Sequence, residues 1–198
     1  LPGSRKTERT VLAVFGSPRP EGNSARLHES FLAELHGVTV TRLHVYGMDL
    51  RPCTACGHCR GEFGCIHDDD MSGLYGAIGG CDLLSISSPL YFSSLPAPLK
   101  AFVDRCQVFW ELSERAPEKI RKKRGLFIAV GGADYQGMFD PAVTVMRHFY
   151  NTVGCEFIEE DCLLVRGVDG DGAVMPGGAL ERARALGIQY SAMLDGEK

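Results

Sequence analysis

The sequence predicts an α/β fold: a three-layer sandwich whose five-stranded parallel sheet carries helices on both faces. Three observations point there. Runs such as Val11-Leu-Ala-Val-Phe15 are apolar at every position, as strands buried on both faces are. Segments with apolar residues at every third or fourth position alternate with those runs. No repeat or low-complexity stretch interrupts the alternation over 198 residues, a length that suits one domain.

Each element follows from its own pattern. Val11 to Phe15 is the first strand, ended by Gly16. Leu27, Phe31 and Leu35 recur every fourth residue and mark a helix. Val38 to Val45, β-branched at alternate positions, is the second strand. Met71, Leu74, Tyr75 and Ile78 share a helical face, with Asp69 or Asp70 placed to cap its start. Leu83 to Ser87 is the third strand, stopped before Pro89. Leu99, Phe102, Val103 and Cys106 fall at i, i+3, i+4 and i+7, a helical stripe. Gly125 to Val130 is the fourth strand, and Val143, Met146, Tyr150 and Val153 mark the next helix. Cys155 to Val165 supplies the fifth strand, and Leu180, Ala183, Gly187, Tyr190 and Leu194 the last helix. Right-handed crossovers leave two common strand orders, the Rossmann order and the flavodoxin order 2-1-3-4-5. Both bind ligands beyond the carboxyl ends of the strands. Residues 1–10 read as an N-terminal tail and 11–198 as one domain with a cysteine-rich loop at 51–70.

Charge narrows the partners. With 25 acidic and 21 basic residues and a net charge of -4, the chain lacks the basic excess of a nucleic-acid binder. It offers no polybasic segment for a membrane surface and no apolar run near the roughly 20 residues of a span. Leu1 to Thr10 is polar, without a signal-peptide core, so the expected location is cytoplasmic. Cys81, Cys106, Cys155 and Cys162 are scattered through apolar contexts and read as small buried hydrophobes.

The loop after the first strand reads Gly16-Ser-Pro-Arg-Pro-Glu-Gly-Asn-Ser24. It carries neither a G-x-G-x-x-G fingerprint nor a Walker lysine. It does offer hydroxyls, an amide, a guanidinium and a helix start, a set suited to one phosphate monoester. A polar turn with Ser24 as an ordinary N-cap is the plain alternative. Phe15 to Ser24 resembles the phosphate loop of the NADPH-dependent FMN reductase family, within the flavodoxin-like fold. Ser88 to Arg105, with Pro-x-Tyr, Leu-Lys and Asp-Arg, and Val130-Gly-Gly-Ala133 resemble that family's later segments, in the same order. The resemblance implies that Ser17, Arg19, Asn23 and Ser24 hold the FMN phosphate. It implies that Pro89, Leu90, Tyr91 and Phe92 line the isoalloxazine and ribityl chain. Gly131 and Gly132 would then approach the pyrimidine edge through the backbone. Lys100, Asp104 and Arg105 read as a solvated helix face or an ion pair.

Cys53, Cys56, Cys59 and Cys65 have the spacing C-x2-C-x2-C-x5-C, with Gly57, Gly61 and Gly64 letting the chain curl. Such a set can wrap a 4Fe-4S cluster, hold zinc, or stand as free or redox-active thiols, and spacing does not choose among them. The motif and the Asp68-Asp-Asp-Met71 after it resemble the iron-sulfur flavoproteins, which share the fold. His58 and His67 read as surface histidines, with zinc ligation beside the cysteines as the alternative.

The expected function is an FMN-dependent oxidoreductase taking electrons from NAD(P)H for an unidentified small-molecule or protein acceptor. The alternatives are an iron-sulfur flavoprotein-type electron carrier and a non-catalytic flavin-binding module. The flavin does such chemistry itself, so no catalytic side chain is required. The resemblance also implies a homodimer or tetramer. Asp134 to Asp140 and Gly167 to Gly178 are candidate loops over the site.

Overall fold

The computed structural model describes residues 9–170 and 175–196. Most of the tail, residues 1–8, and part of the glycine-rich stretch, 171–174, lie outside them. Arg9 and Thr10, read as tail, already belong to the first strand.

The strands are β1 (Arg9–Phe15), β2 (Val38–His44), β3 (Leu83–Pro89), β4 (Lys123–Val130), β5 (Cys155–Phe157) and β6 (Leu163–Val165). The helices are α1 (Asn23–Leu32), α2 (Tyr75–Gly80), α3 (Ala97–Arg105), α4 (Gln107–Arg115), α5 (Asp140–Thr152) and α6 (Ala179–Gly196). All pairings are parallel, in the order β2-β1-β3-β4-β5, with β6 also on β4. This is the flavodoxin order, with one correction: the fifth position is shared by two short strands, so the sheet has six. The acidic run Glu159-Glu160-Asp161 has little strand propensity and forms a 3-10 turn between β5 and β6. Beside the gap, the Tyr150 hydroxyl donates to the Leu126 carbonyl (2.5 Å), and the Tyr190 hydroxyl lies between the Gly125 carbonyl (3.3 Å) and Asp161 Oδ2 (3.2 Å). Buried carbonyls rarely go without such partners. A second correction concerns α4: the stripe ending at Cys106 is followed by a separate helix that the pattern did not announce.

Alternation along β1 sorts the core. Leu12 and Val14 face α2 to α5, whereas Val11, Ala13 and Phe15 face α1 and α6. The four scattered cysteines are buried, as expected. Burial pushes the thiols of Cys81 and Cys162 up to about 11 and about 12, which keeps them protonated.

Candidate functional site

The carboxyl ends of β1, β3, β4 and β6 meet around one cavity of about 220 Å³. Where β1 ends, the Gly16 N–H donates to the Ser87 carbonyl at 2.7 Å. A Cβ on Gly16 would lie 2.5 Å from Leu99 Cδ2 and 3.0 Å from that carbonyl, so glycine is required. The chain then turns tightly, the Arg19 N–H donating to Ser17 Oγ (3.1 Å) and the Gly22 N–H to the Arg19 carbonyl (3.1 Å). Gly22 is the N-cap of α1, no side chain caps it, and the first turn holds no acidic residue. The N-cap role open to Ser24 therefore falls to Gly22, and Ser24 sits buried inside the first turn. Amide hydrogens at such an end, aligned with the helix dipole, favour an anion.

Nine of the ten residues named from sequence line this cavity: Ser17, Arg19, Asn23, Ser24, Pro89, Leu90, Tyr91, Gly131 and Gly132. Phe92 does not: its side chain is fully exposed. Tyr91 and Ser94 exchange backbone hydrogen bonds of 3.0 and 3.1 Å across a two-residue turn. Both turn residues, Phe92 (φ 50°) and Ser93 (φ 60°), are left-handed, the geometry of a primed hairpin turn. That geometry throws the ring outward.

Two residues are more constrained than expected. The Asn23 side chain donates to the Gly170 carbonyl (2.9 Å) and accepts from Arg26 (3.2 Å), so it ties the cradle to the segment after β6. The Gly131 N–H already donates to the Val165 carbonyl (2.9 Å), so Gly131 offers close approach rather than a donor. Val168, Asp169 and Gly170 complete the lining. They lie in the stretch singled out as a candidate lid for its glycines, but no motif marked them individually. Asp134 to Asp140 does not line the cavity; Met138 instead backs Gly131, where a Cβ would lie 2.3 Å from its methyl carbon.

Sequence reasoning passed over His28. It is fully buried behind the cradle, with Nδ1 3.0 Å from Ser87 Oγ and Nε2 2.7 Å from Ser85 Oγ. It thereby pins α1 to β3. Burial, then Arg42 and His44, pull its pKa down to about 3, so the ring is neutral.

The second candidate site is the cysteine loop. Cys53, Cys56, Cys59 and Cys65 all line one cavity of about 280 Å³. Left-handed Ala55 (φ 54°) and Gly57 (φ 78°) curl the chain around it. Arg115 of α4 holds the loop by donating to the carbonyls of Cys59 (2.8 Å) and Arg60. Among the described residues, no three Cys, His, Asp or Glu side chains are gathered closely enough for a single metal ion. The donor chemistry, four thiols around one cavity, fits a cluster, whose ligands stand apart on different irons. His58 and His67 are half-buried and line this cavity too.

The sheet order and the crevice beyond the strand ends define a flavodoxin-like protein. An FMN-dependent NADH-azoreductase from Bacillus anthracis superposes with a TM-score of 0.70 at 15% identity, covering 94% of this chain and 99% of that one. An NAD(P)H:quinone oxidoreductase from Methanothermobacter marburgensis gives 0.70 at 21%, covering 91% and 95%. These likenesses carry the fold. The chain belongs to the NADPH-dependent FMN reductase family, whose profile matches residues 9–167. An iron-sulfur flavoprotein of Methanocaldococcus jannaschii is 30% identical over 71% of this chain and 70% of its own length. Iron-sulfur flavoproteins of Archaeoglobus fulgidus and Methanosarcina thermophila are 32% and 30% identical, over 48% and 62% of this chain. The chain spans only 44% and 63% of the length of those two. Among the described residues, no helix is long and apolar enough to cross a membrane.

Proposed function

We propose that the chain is an FMN-dependent oxidoreductase that takes electrons from NAD(P)H and passes them to a small-molecule or protein acceptor. The observation that carries the reading is the uncapped start of α1 opening into a cavity shared by the loops after β1, β3, β4 and β6. At about 220 Å³ the cavity is below the roughly 300–1,000 Å³ of most ligand pockets. It suits the phosphate and ribityl end of FMN. When bound, the flavin supplies a ring that accepts hydride and gives electrons up again. Ser17, Arg19, Ser24 and the first-turn amides would hold the phosphate, with Asn23 fixing the cradle. Pro89, Leu90 and Tyr91 would wall the ring, and Gly131 and Gly132 would let the main chain come close. The relatives' names support this: the family is one of FMN reductases, and a 25% identical relative from Alteromonas mediterranea is an FMN-dependent NADH:quinone oxidoreductase.

Paired titrations test it. FMN should bind at least tenfold more tightly than riboflavin, which lacks the phosphate, and NADH or NADPH should be oxidised only when FMN is present. Equal affinity for the two flavins, or no turnover with either nicotinamide, refutes it.

A second reading extends the first. The four cysteines around one cavity favour an iron-sulfur flavoprotein, with Cys53, Cys56, Cys59 and Cys65 holding a 4Fe-4S cluster. When bound, a cluster supplies a one-electron relay. Relatives named iron-sulfur flavoproteins support this over zinc or free thiols. Anaerobic protein should then be brown, with about four irons per chain. We further propose a cytoplasmic homo-oligomer. The exposed rings of Phe92, Trp110 and Tyr135 support self-association, and sedimentation checks it.

A further inference from the structure

Among the described residues, two buried side-chain polar atoms have no hydrogen-bond partner: His67 Nε2 and Arg105 Nε. Both residues line the cavity that holds the four cysteines. A buried polar atom left unpaired costs roughly 1–3 kcal/mol, so native proteins keep few. Two at one place ask for a missing partner there, and for the Arg105 Nε–H that partner is an acceptor.

Arg105 is the informative one. Its side chain is completely buried. Nη1 donates to Asp69 Oδ2 (2.5 Å) and to the Arg51 carbonyl (2.8 Å), and Nη2 to Asp69 Oδ1 (2.9 Å). The guanidinium is thus locked in one orientation and its charge is balanced by Asp69. Both terminal nitrogens thus have acceptors, and Nε has none.

We infer that the Nε–H of Arg105 is a hydrogen-bond donor to the sulfur of a cluster held by Cys53, Cys56, Cys59 and Cys65, and that it raises the reduction potential of that cluster. The inference rests on the cluster reading above. Reduction adds one electron and no proton, so negative charge grows on the sulfurs. A donor fixed beside them stabilises the reduced state more than the oxidised one, and hydrogen bonds to sulfur are one of the terms that set such potentials. Arg105 is therefore a positioning residue with a second duty. It ties the loop to α3 through Asp69 and tunes the loop's cargo through Nε.

The test is a potentiometric titration of the full chain, reconstituted anaerobically with iron and sulfide and followed by electron paramagnetic resonance. Arg105→Lys keeps the positive charge for Asp69 but deletes the Nε–H. It should shift the reduction equilibrium about tenfold toward the oxidised cluster, about 59 mV for one electron. A purely structural role would leave the potential where it was. An unchanged potential in a variant that still holds four irons overturns the inference and leaves the cluster reading standing. Wild-type protein that takes up no iron removes both. If the variant fails to fold, wild-type protein labelled with ¹⁵N in arginine alone decides the matter. Pulsed resonance on its reduced cluster should show a ¹⁵N coupling, and its absence overturns the inference.

Discussion

Arg105 and Asp69 form a two-pronged ion pair in which both side chains are fully buried, at 2.5 and 2.9 Å. The pair fastens both ends of the cysteine loop, because the Arg51 carbonyl accepts from Arg105 and the Arg51 N–H donates to Asp69 (3.1 Å). Its neighbours behave differently: Lys100 and Asp104 form an exposed i,i+4 pair at 2.6 Å. Removing one member of a buried pair strands the other charge and costs about 3–5 kcal/mol. Asp69→Ala should lose that much in urea denaturation, whereas Asp104→Ala should lose under about 1 kcal/mol.

The neutral His28 gives stability a measurable pH dependence. Its native pKa of about 3 lies below the ordinary 6.5, so in acid the unfolded chain takes up a proton that the folded chain refuses. Its contribution is complete above 6.5 and is lost as the pH falls toward 3. One such group costs roughly 1.4 kcal/mol per pH unit in that window. His28→Gln should flatten the fall in stability between pH 6 and pH 4, read from chemical denaturation at each pH. An unchanged slope would contradict the burial argument.

The proposed phosphate cradle makes a sharper demand on one side chain. Arg19 lines the cavity beside the α1 start, and a charge-assisted bond to phosphate contributes roughly 1.5–3 kcal/mol. Arg19→Ala should weaken FMN binding about tenfold or more and leave riboflavin binding within about twofold, by fluorescence titration.

Gly187 sets the contact between α1 and α6. A Cβ there would lie 2.4 Å from the Phe31 carbonyl oxygen and 2.7 Å from Glu34 Cβ. Backbone cannot yield as a flexible side chain does. Gly187→Ala should cost about 1–3 kcal/mol, the usual penalty for overpacking, measured as a lower unfolding midpoint.

Phe92 holds a left-handed backbone at φ 50° while burying nothing in this chain. Such a conformation in a bulky residue costs about 1–2 kcal/mol. Phe92→Gly should therefore raise the stability of the isolated chain by about 0.5–1 kcal/mol after the extra entropy of an unfolded glycine. If the ring seats against a second copy, the same change should weaken self-association in sedimentation.

Strand order and the residues lining the crevice were legible because they rest on short-range rules. Continuous apolar runs mark strands covered on both sides, four-residue spacing marks their helices, and a loop of Ser, Arg, Gly and Asn before a helix marks an anion site. The split of β5 from β6 was less visible, since it depends on Tyr150 and Tyr190 reaching across to carbonyls far away in the chain. Phe92 read as a cavity wall because side-chain type says nothing about direction, which the Tyr91–Ser94 turn decides.

By itself the sequence determined the order of the strands and helices and which loops meet at the crevice. Tertiary structure decided what Arg105 and His28 do. A buried guanidinium and a neutral buried imidazole exist only where distant partners, Asp69 for one and Ser85 and Ser87 for the other, repay the loss of water. No local pattern can state that such partners will arrive.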